Sequence, residues 1–363
     1  MTEIARTRTL HDLGQSIWLD TITRELLDSG TLQRYVDQYA VTGLTTNPTI
    51  FDQALESGSA YDNEIRNRSV AGRFGEDLFF DLAISDLVRA ADIFRSIHDQ
   101  TNFVDGWVSL EVPPTLSDDA DSTLRIATEL FSRIKRPNVL IKIPATPEGI
   151  VAIEHATFAG VPVNATLIFS REQYLSVADA WLRGVERRIV AGLDPDIRSV
   201  ASVFVSRWDA SVADSIMTEK SNRLGIAMAN RIYDASRTLH ATPRWQRAMN
   251  AGARPQRLLW ASTGTKDSRA PDTLYPSALV APFTVVTLPE KTLLAFADHG
   301  EFGSLLGEDL KEAERTIASH SEAGVDIDAM AAKLQTEGVA SFVASWNKVL
   351  ERIRIKTEAV ALR

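Results

Sequence analysis

Short, β-branched apolar runs recur along the chain, each followed by a stretch of helical periodicity, and this alternation most constrains the fold. The runs span Ser16–Asp20, Val41–Asn47, Gly106–Val112, Asn138–Pro144, Val161–Ile168, Ser199–Val205, Arg257–Thr263 and Phe283–Leu288. Strands that alternate with helices need right-handed crossovers, which make a parallel sheet covered by helices. A count of eight favours closure into a (β/α)8 TIM barrel, although periodicity alone does not separate a barrel from an open sheet. The helical stripe Leu87, Ala90, Ala91, Phe94 and Ile97 ahead of the third run fits this reading. The connection from about Phe51 to Asn102 is longer than one crossover needs, so it is expected to hold additional helices. From Glu301 onward no strand is visible, and Lys311–Ser319 and Ile327–Val360 read as tail helices. Without a linker or low-complexity tract, residues 1–363 read as one α/β domain.

Composition removes several function classes. The net charge of -9 favours neither nucleic acid nor an anionic membrane as partner. The absence of cysteine excludes disulfides and thiolate metal sites, and the six histidines form no metal-binding pattern, so no metal is expected. The polar opening residues and the lack of a membrane-length apolar run point to a cytoplasmic protein. Oligomeric state, monomer or homodimer, is left open by the sequence.

Face alternation locates the candidate site. Side chains of a strand alternate with period two, and in a barrel the helix-facing set should be apolar. Val139, Ile141 and Ile143 then face the helices while Leu140 and Lys142 face inward. By the same test Val108, Leu110 and Val112 face out, against Trp107, Ser109 and Glu111 within. Val163, Ala165 and Leu167 face out, against Asn164 and Thr166; Ile17 and Leu19 face out, against Ser16, Trp18 and Asp20. Asp20, Glu111, Lys142 and Thr166 therefore converge near the C-terminal strand ends, where β/α barrels carry their active sites.

The chemistry open to this set is imine formation. A lysine among apolar neighbours is expected to be desolvated, which disfavours the ammonium and leaves an amine able to attack a ketone. Asp20 and Glu111 supply an acid and a base, and Thr166 can hold a water. The residues alone leave alternatives open. Lys142 could snorkel past the sheet edge, and Asp20 and Glu111 could form a structural ion pair with it. Asn164 and Thr166 could be satisfied core polars, and Thr45, Thr46 and Asn47 before Pro48 a helix cap. Arg207 could be a solvated loop charge, and Ser262 and Lys266 in STGTK form only a weak phosphate-loop pattern. Trp181, Trp208 and Trp245 are expected to serve packing.

In this order the motifs resemble the transaldolase family, in its larger bacterial branch. The matching pieces are WLDTITREL at Trp18–Leu26, GLTTNPTIF at Gly43–Phe51, SLEVPPTL at Ser109–Leu116 and LIKIPATPEGI at Leu140–Ile150. VPVNATLIFS at Val161–Ser170, ASVFVSRWD at Ala201–Asp209 and LLWASTGTKD at Leu258–Asp267 follow. The resemblance implies reversible transfer of a dihydroxyacetone unit between sugar phosphates, in the non-oxidative pentose phosphate pathway, without cofactor. The donor would be fructose 6-phosphate or sedoheptulose 7-phosphate, the acceptor erythrose 4-phosphate or glyceraldehyde 3-phosphate. It implies Lys142 as the Schiff-base lysine, Asp20 as acid/base, and Glu111 with Thr166 on the catalytic water. Thr46, Asn47, Asn164, Ser202, Phe204 and Ser262 would line the sugar, with Arg207 and Lys266 on the phosphate. One departure stands out: many members carry Ser-Phe-Arg on the seventh strand, whereas this chain has Ser262, Thr263 and Gly264, with Lys266 the nearest cation. Competing readings are a fructose 6-phosphate aldolase-like enzyme, a non-catalytic sugar-phosphate-binding barrel, and a glycosidase using Asp20 and Glu111.

Overall fold

The computed structural model describes residues 6–46, 48–213 and 222–361. Each expected run forms a strand: β1 Ser16–Leu19, β2 Val41–Thr45, β3 Val108–Glu111, β4 Val139–Pro144, β5 Val163–Ile168, β6 Ser199–Phe204, β7 Arg257–Ala261 and β8 Val285–Leu288. They pair in parallel in chain order, and β8 returns to β1, so the barrel is closed. Closure leaves no unpaired edge, which removes the template that exposed strands offer to other chains.

The buried apolar side chains divide as the alternation requires. Ile17, Leu19, Val108, Leu110, Val139, Ile141 and Ile143 belong to the core between strands and helices. Trp18, Trp107, Leu140, Val200, Leu259 and Val285 form a second cluster, which fills the lumen. Each such side chain stabilises the fold by roughly 1.5–3 kcal/mol when fully buried. Trp181 and Trp245 pack in the outer core and Trp208 with the lumen cluster, so these three serve packing as expected.

Leu167 departs from the expected pattern. It was assigned to the helix-facing set, yet it packs with the lumen cluster, and Ile168 takes the outer position. The cause is a break in β5–β6 register between Ala165 and Ile168, where Leu167 adopts φ 61°. Such a bulge re-aims one side chain, a device common beside active sites.

The long β2–β3 connection holds helices Pro48–Ser57, Asp62–Val70 and Gly75–Gln100. The last of these buries Leu87, Ala90, Ala91 and Phe94 from the expected stripe. The tail forms helices Leu310–Glu322 and Ile327–Ala361. The second, here the tail helix, packs on all three helices of that connection, on the turn Pro114–Leu116 and on β5. Trp346 wedges its ring against Phe79, 4.7 Å between centroids, and Arg352 reaches Asp52 at 3.2 Å. These contacts lay the tail helix across the C-terminal end of the barrel. Among the described residues no helix is long and apolar enough to cross a membrane.

Gly43 in β2 is required by close approach. A Cβ there would lie 2.6 Å from the Trp107 carbonyl oxygen and 2.7 Å from the Trp18 indole nitrogen. The indole is fixed by donating to Asp105 at 2.8 Å. Gly43→Ala is therefore expected to destabilise by about 1–3 kcal/mol through overpacking. Urea denaturation of the two proteins measures it, and equal midpoints would refute the packing argument.

Candidate active site

The register of three adjacent strands builds the floor of the site. Glu111 of β3 lies opposite Lys142 of β4, and Lys142 opposite Asn164 of β5. The Lys142 ammonium donates to Glu111 Oε1 and, at 3.4 Å, to the main-chain carbonyl of Thr46. Both side chains are buried. The apolar neighbours of Lys142 in sequence point to the helices, so the amine meets a carboxylate instead of a hydrocarbon wall. Isolated desolvation, the expectation from sequence, is replaced by a buried ion pair.

Around this pair lie oxygens without hydrogen-bond partners among the described residues. Glu111 Oε2, Thr46 Oγ1 and Thr166 Oγ1 are buried and accept or donate no hydrogen bond among the described residues. Glu111, Lys142 and Thr166 line one small cavity together with Leu167, Val339 and Phe342. Buried polar atoms are normally satisfied, so a cluster of exceptions marks a place for polar ligands. Asp20 follows β1, held by its N–H donating to Leu288 at 3.1 Å, and its carboxylate accepts from Thr21 Oγ at 3.1 Å. Burial pushes its carboxyl above the ordinary range, against the Thr21 hydrogen bond and the nearby Lys142 charge.

Deeper in the lumen Asn164 is fully buried, donating to Ser109 Oγ at 3.1 Å and accepting from Ser202 Oγ at 2.6 Å. This chain fixes the amide and ties β5 to β6. Phe204 packs against Phe169 and beneath Phe342. Asn47 lies outside the described residues.

The other end of the cleft is cationic. The Arg207 guanidinium stands over the Phe204 ring at 5.1 Å and has no ion pair or hydrogen bond among the described residues. Burial pulls its pKa down, offset by Glu337. Lys266 is more exposed, and its ammonium is also held below the ordinary range, by partial burial and then by Arg207. Two neighbouring cations of this kind favour an anion between them. Ser262 adopts φ 55° and shares a 2.9 Å hydrogen bond with Ser206, next to Arg207. Asp209 anchors the same short helix, Ser206–Val212: it accepts from the Leu224 and Gly225 N–H groups and from Tyr275 at 2.8 Å.

Sequence reasoning missed the roof. Phe342 of the tail helix stands 5.6 Å from Lys142 Nζ, measured to the ring centroid. Gln335 donates to the carbonyls of Ala145 at 2.8 Å and Leu167 at 3.0 Å, so it clamps the ends of β4 and β5. Gly338 allows the approach: a Cβ there would sit 2.8 Å from Leu167 and 3.2 Å from Arg207. A glycine inside a long helix costs about 0.5–1 kcal/mol relative to alanine, and Gly338 was the available signal that this turn packs closely.

Fold and site together are those of a β/α-barrel enzyme with a buried amine and two carboxylates at the catalytic end. The family model described as Transaldolase/Fructose-6-phosphate aldolase matches residues 17–353. A transaldolase of Frankia alni is 43% identical over 349 residues, 94% of each chain. One from Thermobifida fusca is 43% identical over 95% of this chain and 96% of its own, and one from Saccharopolyspora erythraea 42% identical over 98% of both. The chain belongs to the transaldolase/fructose-6-phosphate aldolase family, and its activity is that of a transaldolase, a transferase.

The Asp20 environment gives a signed pH dependence. A carboxyl raised above its unfolded value favours folding while protonated and loses that contribution as pH rises through its folded pKa. Asp20→Asn removes the buried anion, so it is expected to be more stable than the parent at pH 7. The gain should shrink on acidification toward about pH 4, the ordinary aspartate range. Urea midpoints at the two pH values test this; a variant less stable at pH 7, or a gain independent of pH, contradicts it.

Proposed function

We propose that Lys142 is the nucleophile that forms an imine with a ketose phosphate, and that the transferred unit is dihydroxyacetone. The hydrogen bond from Lys142 to Glu111, beside oxygens of Thr46, Glu111 and Thr166 that have no partner among the described residues, is the observation that carries this reading. Glu111 is placed to take the ammonium proton, which leaves a neutral amine to attack the C2 carbonyl of fructose 6-phosphate or sedoheptulose 7-phosphate. A water held by Glu111 and Thr166 would relay the proton with which the carbinolamine hydroxyl leaves as water. Asp20 then accepts the C4 hydroxyl proton as the C3–C4 bond breaks, and the electron pair passes into the protonated imine. A base needs a pKa near the working pH, and burial moves Asp20 in that direction. The enamine adds to glyceraldehyde 3-phosphate or erythrose 4-phosphate by the reverse sequence, and hydrolysis frees Lys142.

Binding follows the same layout. Thr46, Asn47, Asn164, Ser202, Phe204 and Ser262 would line the sugar chain, and Arg207 the phosphate, with Lys266 and the backbone near Gly264 beside it. Arg207 is the stronger candidate because its charge has no ion pair among the described residues and its fork suits phosphate. These roles place the enzyme in the non-oxidative pentose phosphate pathway in the cytoplasm, with the whole chain acting as one catalytic unit.

Two measurements test the reading. Turnover of fructose 6-phosphate with erythrose 4-phosphate as acceptor should exceed turnover without acceptor, and Lys142→Met should abolish it while the fold is kept. Equal turnover with and without acceptor would indicate an aldolase, and an active Lys142→Met would remove the imine mechanism. Arg207→Ala should raise KM for fructose 6-phosphate by about 10–100-fold, in line with ~1.5–3 kcal/mol for a charged hydrogen bond. Lys266→Ala should raise it less; the opposite order would move the phosphate site to Lys266.

A further inference from the structure

A second cavity lies at the opposite end of the barrel, with a volume of about 220 Å³. Its inner walls include Trp107, Leu140 and Val200, which belong to the lumen cluster. Each stands two residues before a member of the layer above: Ser109, Lys142 and Ser202. At the rim are Phe103 and Phe283, 41% and 45% exposed, both held at positive φ. Large apolar side chains exposed side by side at a concave opening are characteristic of ligand sites.

The charge around this cavity runs against that of the chain. Arg198, Arg254 and Arg257 line it, in a protein of net charge -9. Arg198 is paired with Asp196 and also donates to the carbonyls of Asn102 and Phe103. Arg257 is buried, and its hydrogen-bond acceptors are neutral: the carbonyls of Val104, Phe283 and Thr284 and the hydroxyl of Ser16. Those four bonds leave one guanidinium N–H uncommitted. The carboxylate whose charge acts on Arg257, Asp105, is already engaged by Trp18 and the Gly106 N–H. Arg254 approaches Asp196 only at 3.9 Å, shares that carboxylate with Arg198, and makes no hydrogen bond among the described residues. Pinning of the loop at Asn102–Val104 explains Arg198 and most of Arg257; it does not explain Arg254 or the cavity.

We infer that this cavity is a second binding site, for a small anion with a flat apolar body, whose acidic group meets Arg254 and Arg257 and whose body rests on Phe103, Trp107 and Phe283. The size fits: a dry cavity of about 150 Å³ accommodates benzene, so this one holds a phenyl ring with a short acidic arm. Because its ceiling is the layer directly beneath Lys142, an occupant is in packing contact with the support of the catalytic strands.

The probe is 3-phenylpropionate, added to the full chain and followed by calorimetry or ligand-observed NMR. Saturable binding with Kd of about 1 mM or tighter is expected for a ligand of this size. The neutral 3-phenylpropanamide should bind at least tenfold more weakly. Arg254→Gln should weaken the acid at least tenfold, and Phe283→Asn, which tolerates the left-handed backbone, should do the same. Both variants should keep full turnover, which reports an intact fold. Arg207→Ala, at the other mouth, should leave probe binding unchanged. Absence of saturable binding to the parent chain, binding indifferent to Arg254→Gln and Phe283→Asn, or binding lost in Arg207→Ala would each overturn the inference.

Discussion

The pairing of Glu111 with Lys142 across β3 and β4 is the interaction on which the catalytic end of this barrel depends. Two charges taken out of water carry a desolvation cost of several kcal/mol each, and good geometry offsets it only partly. The barrel accepts this at one layer because closure locks the strands in register. The same register sets Asn164 beside Lys142, and the chain Ser109–Asn164–Ser202 ties three strands under the amine. A shift of one residue in β4 would turn Lys142 to the helices and Ile141 or Ile143 to the lumen. Function and core packing are thus two readings of one alternation.

The polarity of the cleft follows from what covers each end. The tail helix places Phe342 over the amine and Gln335 on the carbonyls of Ala145 and Leu167. Further along, Gly338 lets the same helix close on Arg207. Among the described residues the guanidinium forms no ion pair, although the Glu337 charge acts on it, and Asp209 fixes the helix that bears it. An amine with carboxylates at one end and, at the other, cations that form no ion pair among the described residues matches a substrate with a carbonyl at one end and a phosphate at the other.

Much of this was legible in the sequence because it rests on period-two patterning. The strands and the inward set of Asp20, Glu111, Lys142 and Thr166 follow from counting alternate residues, and the structure brings Glu111, Lys142 and Thr166 around one cavity. Leu167 broke the count because a bulge is a backbone event with no side-chain signature in an otherwise regular run. Phe342, Gln335 and Gly338 were not legible as site residues: they lie far along the chain, and helical periodicity tells which face is buried, not what it covers. An ion pair on Lys142 was open in the sequence as one alternative, but local sequence names the neighbours along a strand and does not say which of Asp20 and Glu111 is the partner across it. The departure at Ser262–Gly264 was visible, whereas the lack of an ion pair to Arg207 among the described residues required the fold.

Chemical trapping of the imine tests the central claim most directly. The enzyme is mixed with fructose 6-phosphate, reduced with borohydride, digested and mapped by mass spectrometry. The account predicts a reduced three-carbon adduct on Lys142 and none in Lys142→Met. An adduct on another lysine, or none on a folded protein that turns over the substrate, would contradict it.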